Sequence, residues 1–332
     1  IAMNSTMDPT ILVGGELPLI NGNFRIGNSD LFITEACEYK GSFLKFPAQT
    51  ALILNVEADH LDYYRDLQHV LDTFKSYITL VPKDGTVVAN ADDPHMDYIL
   101  EGAEPRVITF GIKKGDLRAK DISYDAKGRG SFKAYLDNEF LVDVTLSVPG
   151  EFNILNALGA IGASLAAGIP LESIRKGLDT FSGVNKRFQL LFTEKEITVI
   201  DDYAHHPGEI KASLDTAERM DFNHLHVVFQ PHTYTRTKSL FGEFAESFDR
   251  VDNLVLLDIY AAREPDTGLV TSEELGDAIR ERNTVNVVNM HTFEDAADYL
   301  MGVLEPNDIV ITMGAGESVR VAELLKNRLK QA

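Results

Sequence analysis

The feature that most constrains this 332-residue chain is a unit repeated along its second half. Short apolar runs at 197–201, 225–230, 254–260, 285–289 and 309–313 are each followed by a stretch with helical spacing of apolar residues, at 208–220, 238–248, 272–282, 292–304 and 318–330. Runs apolar throughout, rather than at every second position, suit strands buried on both faces. Helices between such strands are the crossovers that parallel pairing requires. Five of these units predict a doubly wound parallel α/β sheet.

The first half mixes two patterns. Candidate strands at 30–35, 50–56, 86–90 and 106–110, with a helix over 67–81, continue the α/β reading. From 121 to 148 the period changes to two: Phe132, Ala134 and Leu136 fall on one face, and Lys133, Tyr135 and Asp137 on the other. The Gly128-Arg129-Gly130 break before them predicts a hairpin. Helices follow at 153–167, closed by Gly168, and at 171–180. A turn-rich link at 182–185 divides the chain into expected domains 1–182 and 183–332.

Charge and cysteine content narrow the function classes. Lys and Arg total 31 against 51 for Asp and Glu, a net charge of −20 that repels nucleic acid and anionic lipid. No window of eighteen apolar residues exists to span a membrane. One cysteine, Cys37, supports neither a disulfide framework nor a thiolate zinc site and suits the cytoplasm. Residue 1 is Ile and no signal peptide follows, so a piece of a longer chain is expected.

Ligands of open α/β sheets bind beyond the carboxyl ends of the strands. In the second half those ends read Asp201-Asp202-Tyr203-Ala204-His205-His206-Pro207, Gln230-Pro231-His232-Thr233-Tyr234-Thr235-Arg236, Asp258-Ile259-Tyr260-Ala261-Ala262-Arg263 and Gly314-Ala315-Gly316. They bring carboxylates, imidazoles, two Arg and a glycine turn to one rim. Each residue alone reads equally as a solvated loop residue, and the glycine turn lacks the full dinucleotide spacing.

In the first half, Glu35 and Glu38 end one strand, and Glu57, Asp59, His60 and Asp62 the next. Such oxygen-rich sets with one imidazole suit Mg²⁺ or Mn²⁺, or are acidic surface loops. Asn153 and Asn156 lie one turn apart at a helix start; one caps, and a second on that face can hydrogen-bond a base edge. No G-x-x-x-x-G-K-[ST] phosphate loop occurs in the chain.

Six segments in order resemble the Mur ligase family, in its alanine-adding branch: Thr34-Glu35-Ala36-Cys37-Glu38-Tyr39, Asn55-Val56-Glu57-Ala58-Asp59-His60, Asn90-Ala91-Asp92-Asp93-Pro94, Asn153-Ile154-Leu155-Asn156-Ala157, Asp201 through Pro207, and Phe229-Gln230-Pro231-His232. The resemblance implies a central ATP-binding domain with a mainly parallel sheet and a small antiparallel part. A Rossmann-like C-terminal domain follows. The chain then starts just after the helix that follows the phosphate loop, and alone is expected to be inactive.

The implied reaction is ATP-driven amide formation. A UDP-N-acetylmuramate carboxylate becomes an acyl phosphate, which the amine of L-alanine attacks. By the same resemblance Glu35 and His60 hold Mg²⁺, Asn156 with Asn153 reads adenine, Arg187 reaches the phosphates, and Asp202 and Tyr203 lie at the ATP-facing edge. His205, His232 and Arg236 meet the amino acid and acyl phosphate. Arg263 is a further source of positive charge, and Phe74 with Lys75 one residue off argues against a carbamylated lysine. A peptide-recycling ligase and a non-catalytic nucleotide or amino-acid binding module are the alternatives, with a metal-dependent hydrolase behind them.

Overall fold

The structure, a computed structural model, describes residues 1–60, 63–282 and 284–331. Leu61 and Asp62, which close the acidic run after the second strand, lie outside the described residues, as does residue 332. Contacts divide the chain into two units, Ile1–Asp125 with Arg129–Gly183, and Ala126–Gly128 with Val184–Ala332.

The first unit opens on a small sheet of β1 (Thr10–Leu17), β2 (Gly22–Arg25) and β3 (Phe32–Thr34), in the order β2-β1-β3. The sequence reading places no strand before residue 30, and the strand it expects at 30–35 joins this small sheet. The Gly14-Gly15 pair interrupts the alternation of β1, and β2 is only four residues long, so neither carries a strand signal.

The main sheet runs β4 (Thr50–Ile53), β5 (Thr86–Asn90), β6 (Arg106–Gly111), β7 (Leu117–Tyr124), β8 (Arg129–Leu136) and β9 (Glu139–Pro149), in that order. Pairs from β4 to β7 are parallel, and β7-β8-β9 are antiparallel. Helix α1 (Leu67–Ile78) and the short α2 (Met96–Leu100) pack Val70, Leu71, Ile78 and Ile99 with Ile53 and Val87. Helix α3 (Glu151–Ala166) packs Ile154, Leu158 and Ile161 with Phe110, Leu117 and Phe132, and α4 (Leu171–Thr180) adds Ile174 and Leu178. The N-cap of α3 is Gly150, at φ 98°, with no side chain capping it. Asn153 is therefore not the cap that its position suggests.

The second unit holds β10 (Gln189–Glu194), β11 (Ile197–Asp202), α5 (Pro207–Ala217), β12 (Leu225–Phe229), α6 (Tyr234–Ser239), α7 (Phe241–Ala245), β13 (Asn253–Leu257), α8 (Ser272–Arg282), β14 (Asn286–Met290), α9 (Phe293–Val303), β15 (Ile309–Met313) and α10 (Val319–Gln331). Strand order is β10-β11-β15-β12-β13-β14, with β10 antiparallel and the rest parallel. Alternate residues of one strand feed opposite cores. Val227 and Phe229 pack with Leu214, Phe244 and Ile279, while Val228 packs with Leu300 and Leu325. That alternation is the doubly wound arrangement expected.

Helices α5 and α8 therefore cover one face, and α9 and α10 the other. Chains leaving β11 and β12 diverge from the chain leaving β15 between them, which opens a crevice at their carboxyl ends. Two details differ from the sequence reading. Edge strand β10 has no fully buried residue and carries little apolar signal. The expected helix at 238–248 is instead two, broken at Leu240 (φ −107°, ψ 19°), with Arg236 inside the first.

Candidate functional site

The crevice of the second unit contains most of the rim residues. Asp201 and Asp202, at the end of β11, are buried and tied inward. Asp201 accepts from the Thr312 hydroxyl at 2.6 Å, and Asp202 from the Ser213 hydroxyl and, at 3.2 Å, the Ala204 N–H. Burial pushes both carboxyl groups above the ordinary carboxylate range. Asp202, expected as a rim carboxylate, is buried at the strand end, where it ties α5 to β11 through Ser213.

Beyond it the chain presents two imidazoles of opposite tautomer, assigned from their partners. His205 Nδ1 lies 2.8 Å from the Tyr203 carbonyl, which can only accept, so Nδ1 carries the proton and Nε2 a lone pair. His232 Nδ1 lies 3.2 Å from Arg236 Nη1, which can only donate, so its proton is on Nε2. The rings are 5.8 Å apart, and His232 stacks on Tyr260 at the same distance. Burial holds both imidazoles below the usual histidine range. Arg236 adds to this at both, and Arg187 at His205. Lowering favours the neutral ring in each, one presenting a lone pair and the other an N–H. Arg187 itself is exposed, 3.7 Å from Glu209 and over the Tyr203 ring. Arg263 is exposed in the loop after β13.

Backbone strain sets this geometry. Thr233, β-branched, sits at φ 65° and ψ 144°, a conformation costing about 1–3 kcal/mol that persists only where its surroundings impose it. Thr233 N–H donates to Tyr260 O at 2.9 Å, Tyr260 N–H to Pro231 O at 2.8 Å, and the Thr237 hydroxyl to Thr233 O at 2.7 Å.

The Gly-Ala-Gly turn after β15 makes room for Gln230. Its Oε1 accepts from Glu317 N–H at 2.7 Å. A Cβ on Gly314, at φ 138°, would lie 2.6 Å from Gln230 O, and one on Gly316 2.3 Å from Gln230 Oε1. Gly314→Ala is expected to destabilise the second unit by about 1–3 kcal/mol, read as a lower urea midpoint with unchanged m-value. A variant as stable as the parent would show that β12 and β15 do not need this approach.

In the first unit, His60 Nε2 lies 3.0 Å from Glu38 Oε1, and Glu38, Asp59 and His60 place one ligand atom each within 4.8 Å of one another. Glu35 is not in this cluster; its carboxylate accepts from Gly14 N–H at 2.8 Å. His60 thus meets Glu38, while Glu35, its expected partner, accepts from the Gly14 N–H. Two carboxylates and an imidazole remain a donor set that fits Mg²⁺.

Asp92 and Asp93 are spent on backbone. Asp92 accepts from Ile112, Lys113 and Lys114, and Asp93 from Val56 and His95. Asn156, exposed, donates through Nδ2 to Asn153 Oδ1 at 3.1 Å, and Asn153 to Pro149 O at 2.7 Å. Lys75 pairs with Glu101 at 2.6 Å, and Phe74 packs on Phe43.

Sequence reasoning missed Glu209, whose Oε2 accepts from His205 N–H at 2.9 Å and His206 N–H at 3.2 Å. The signal was present: His206 at the N-cap, Pro207 at the first helical position and Glu209 two residues on form a helix-start pattern.

Comparison with known proteins agrees with this division. Residues 15–164 match the model of the Mur ligase middle domain, and 186–316 that of the Mur ligase glutamate ligase domain. The chain is 50% identical to a UDP-N-acetylmuramate–L-alanine ligase of Clostridium tetani over 98% of its own length and 71% of the relative's. It is 51% identical to that of Clostridium novyi, covering 98% and 70%. The crystal structure of the UDP-N-acetylmuramate-alanine ligase of Thermotoga maritima superimposes with a TM-score of 0.81 at 25% identity, covering 98% of this chain and 70% of that one. With two of the family's domains matched in order and half the residues shared with its alanine-adding members, the chain belongs to the Mur ligase family.

Proposed function

We propose that this chain is the nucleotide- and amino-acid-handling part of an ATP-dependent ligase that joins L-alanine to UDP-N-acetylmuramate through an acyl phosphate, in peptidoglycan precursor synthesis. The observation that carries the reading is the rim of the second unit, where a basic His205 Nε2, a donating His232 Nε2–H and Arg236 lie together. The names of its half-identical relatives support the same substrates.

Amide formation asks three things of such a site, and each falls to a residue of this chain. The alanine carboxylate needs a fixed cation, and the Arg236 guanidinium offers a planar fork for it. The ammonium must lose a proton before it attacks, and His205 Nε2 is the acceptor. Charge accumulates on the carbonyl oxygen of the tetrahedral intermediate, and His232 Nε2–H donates to it.

In the first unit, Asn156, braced by Asn153, contacts adenine, and Glu38, Asp59 and His60, with Glu35 on the same strand end, would hold the magnesium ion. Magnesium bound there supplies positive charge to the phosphate oxygens. Arg187 is the phosphate contact of the second unit. This chain holds no phosphate loop, so by itself it is proposed to bind without turnover.

The test is phosphate release from ATP by these residues joined to a phosphate loop. Release is expected only when UDP-N-acetylmuramate and L-alanine are both supplied. A preference for a peptide over L-alanine would identify the recycling ligase instead, and release without any amine acceptor would defeat the reading.

A further inference from the structure

We propose that Glu209 is a positioning residue: it holds the proton of His205 on Nδ1 and thereby keeps Nε2 available as a base toward the attacking amine. The four groups around its carboxylate argue for this. Oε2 accepts from His205 N–H at 2.9 Å and from His206 N–H at 3.2 Å, which pins the loop backbone to the first turn of α5. The same oxygen lies 3.3 Å from His205 Nδ1, so its negative charge sits beside the Nδ1–H that the Tyr203 carbonyl accepts. Oε1 lies 3.7 Å from Arg187 Nη1. The proton stays on Nδ1, because moving it to Nε2 would set a lone pair against the carbonyl that accepts it and against the nearby carboxylate charge.

The charges facing His205 make this carboxylate matter. Arg187, from the segment before β10, and Arg236, from α6, both lower its proton affinity, as does burial, and its ring faces that of His232 from the loop after β12. Glu209 raises that affinity, as does the Tyr203 carbonyl, and it is the one carboxylate facing the ring among these groups. Without it His205 would remain neutral but become a weaker base, and a weaker base takes less of the ammonium proton in the transition state.

A purely structural role, helix capping, is separable from this one. Glu209→Gln keeps an oxygen for the backbone N–H groups and loses the charge; Glu209→Ala loses both. The first measurement is histidine side-chain ¹⁵N NMR on this chain, with no substrate. It is expected to show His205 as the Nδ1–H tautomer in the parent, a lower His205 pKa in Glu209→Gln, and an added Nε2–H population in Glu209→Ala. The second, which rests on the function proposed above, is the pH profile of kcat/KM for L-alanine in the protein joined to its phosphate loop. Its acid limb is expected to move to lower pH in Glu209→Gln. In Glu209→Ala kcat is expected to fall by roughly tenfold or more, a part of the usual contribution of a general base, with alanine KM within about twofold.

An Nε2–H tautomer in the parent, or a His205 pKa unchanged by Glu209→Gln, would overturn the proposal even if alanine ligation is confirmed. A fall in melting temperature with tautomer and pH profile both intact would reduce Glu209 to a cap. Failure of ligation in the parent would strike the function alone, since the NMR result stands without substrate.

Discussion

Asp308→Ala is expected to destabilise the second unit by about 3–5 kcal/mol, the scale of breaking a buried, fully bonded charge. The Asp308 side chain is wholly buried at the amino ends of β12 and β15, opposite the crevice. One carboxylate oxygen accepts from His224 N–H and faces His224 Nδ1, each at 3.0 Å. The other accepts from Glu305 N–H at 2.8 Å and faces His226 Nε2 at 2.9 Å. Truncation leaves two backbone donors and a buried imidazole without partners.

This trio resembles a metal site but is a structural tie. His226 Nδ1 is buried without a partner, so a ring ligating through Nε2 would strand an N–H in the core. Burial alone would raise Asp308, but the Glu305 N–H and the two histidines outweigh it and hold its pKa below the ordinary value. A depressed carboxylate stabilises the fold fully above its unfolded pKa, near about 4, and that stabilisation goes as pH falls through the lower folded value. Urea unfolding should therefore show the gap between parent and variant widest at neutral pH and closing in acid. A gap below about 1 kcal/mol at pH 7 would show that the carboxylate is dispensable.

Arg236→Lys is expected to raise the KM for alanine by roughly 5- to 150-fold, about 1–3 kcal/mol, in a protein competent for ligation. Lysine keeps the charge but loses the planar fork, and it cannot donate to His232 Nδ1 while also holding a carboxylate with two parallel bonds. The KM for ATP should stay within about twofold. An ordinary surface arginine would tolerate the change. The geometry disfavours that reading, since Arg236 is half-buried inside α6 with Nη1 on the His232 ring. Steady-state kinetics with alanine and ATP varied separately decides it: an unchanged alanine KM and kcat would move the carboxylate contact elsewhere, with Arg263 next in line.

The doubly wound sheet was legible before any coordinates. The bounds of β5, β15 and α4 match those read from the residues alone. Both strands are buried at every position, and a run apolar on both faces carries its signal within five residues. The strands that escaped, β1, β2 and β10, are half-exposed, short or interrupted by glycine, so local pattern had nothing to work on. The rim residues were legible for a related reason: a polar run just after an apolar strand must lie at its carboxyl end, and in an open sheet that end faces the crevice.

What each rim side chain does there belongs to the tertiary structure. Asp201 and Asp202 are adjacent in sequence, yet one meets Thr312 and the other Ser213, and both are buried. Glu38 meets His60, while the Glu35 carboxylate accepts from Gly14, 21 residues upstream. The opposite tautomers of His205 and His232 follow from a carbonyl on one and a guanidinium on the other. Apolar burial depends on a residue's own surface and its near neighbours, so it is written in local pattern. The direction of a hydrogen bond depends on which donor or acceptor another segment brings within 3 Å, and only the folded chain decides that.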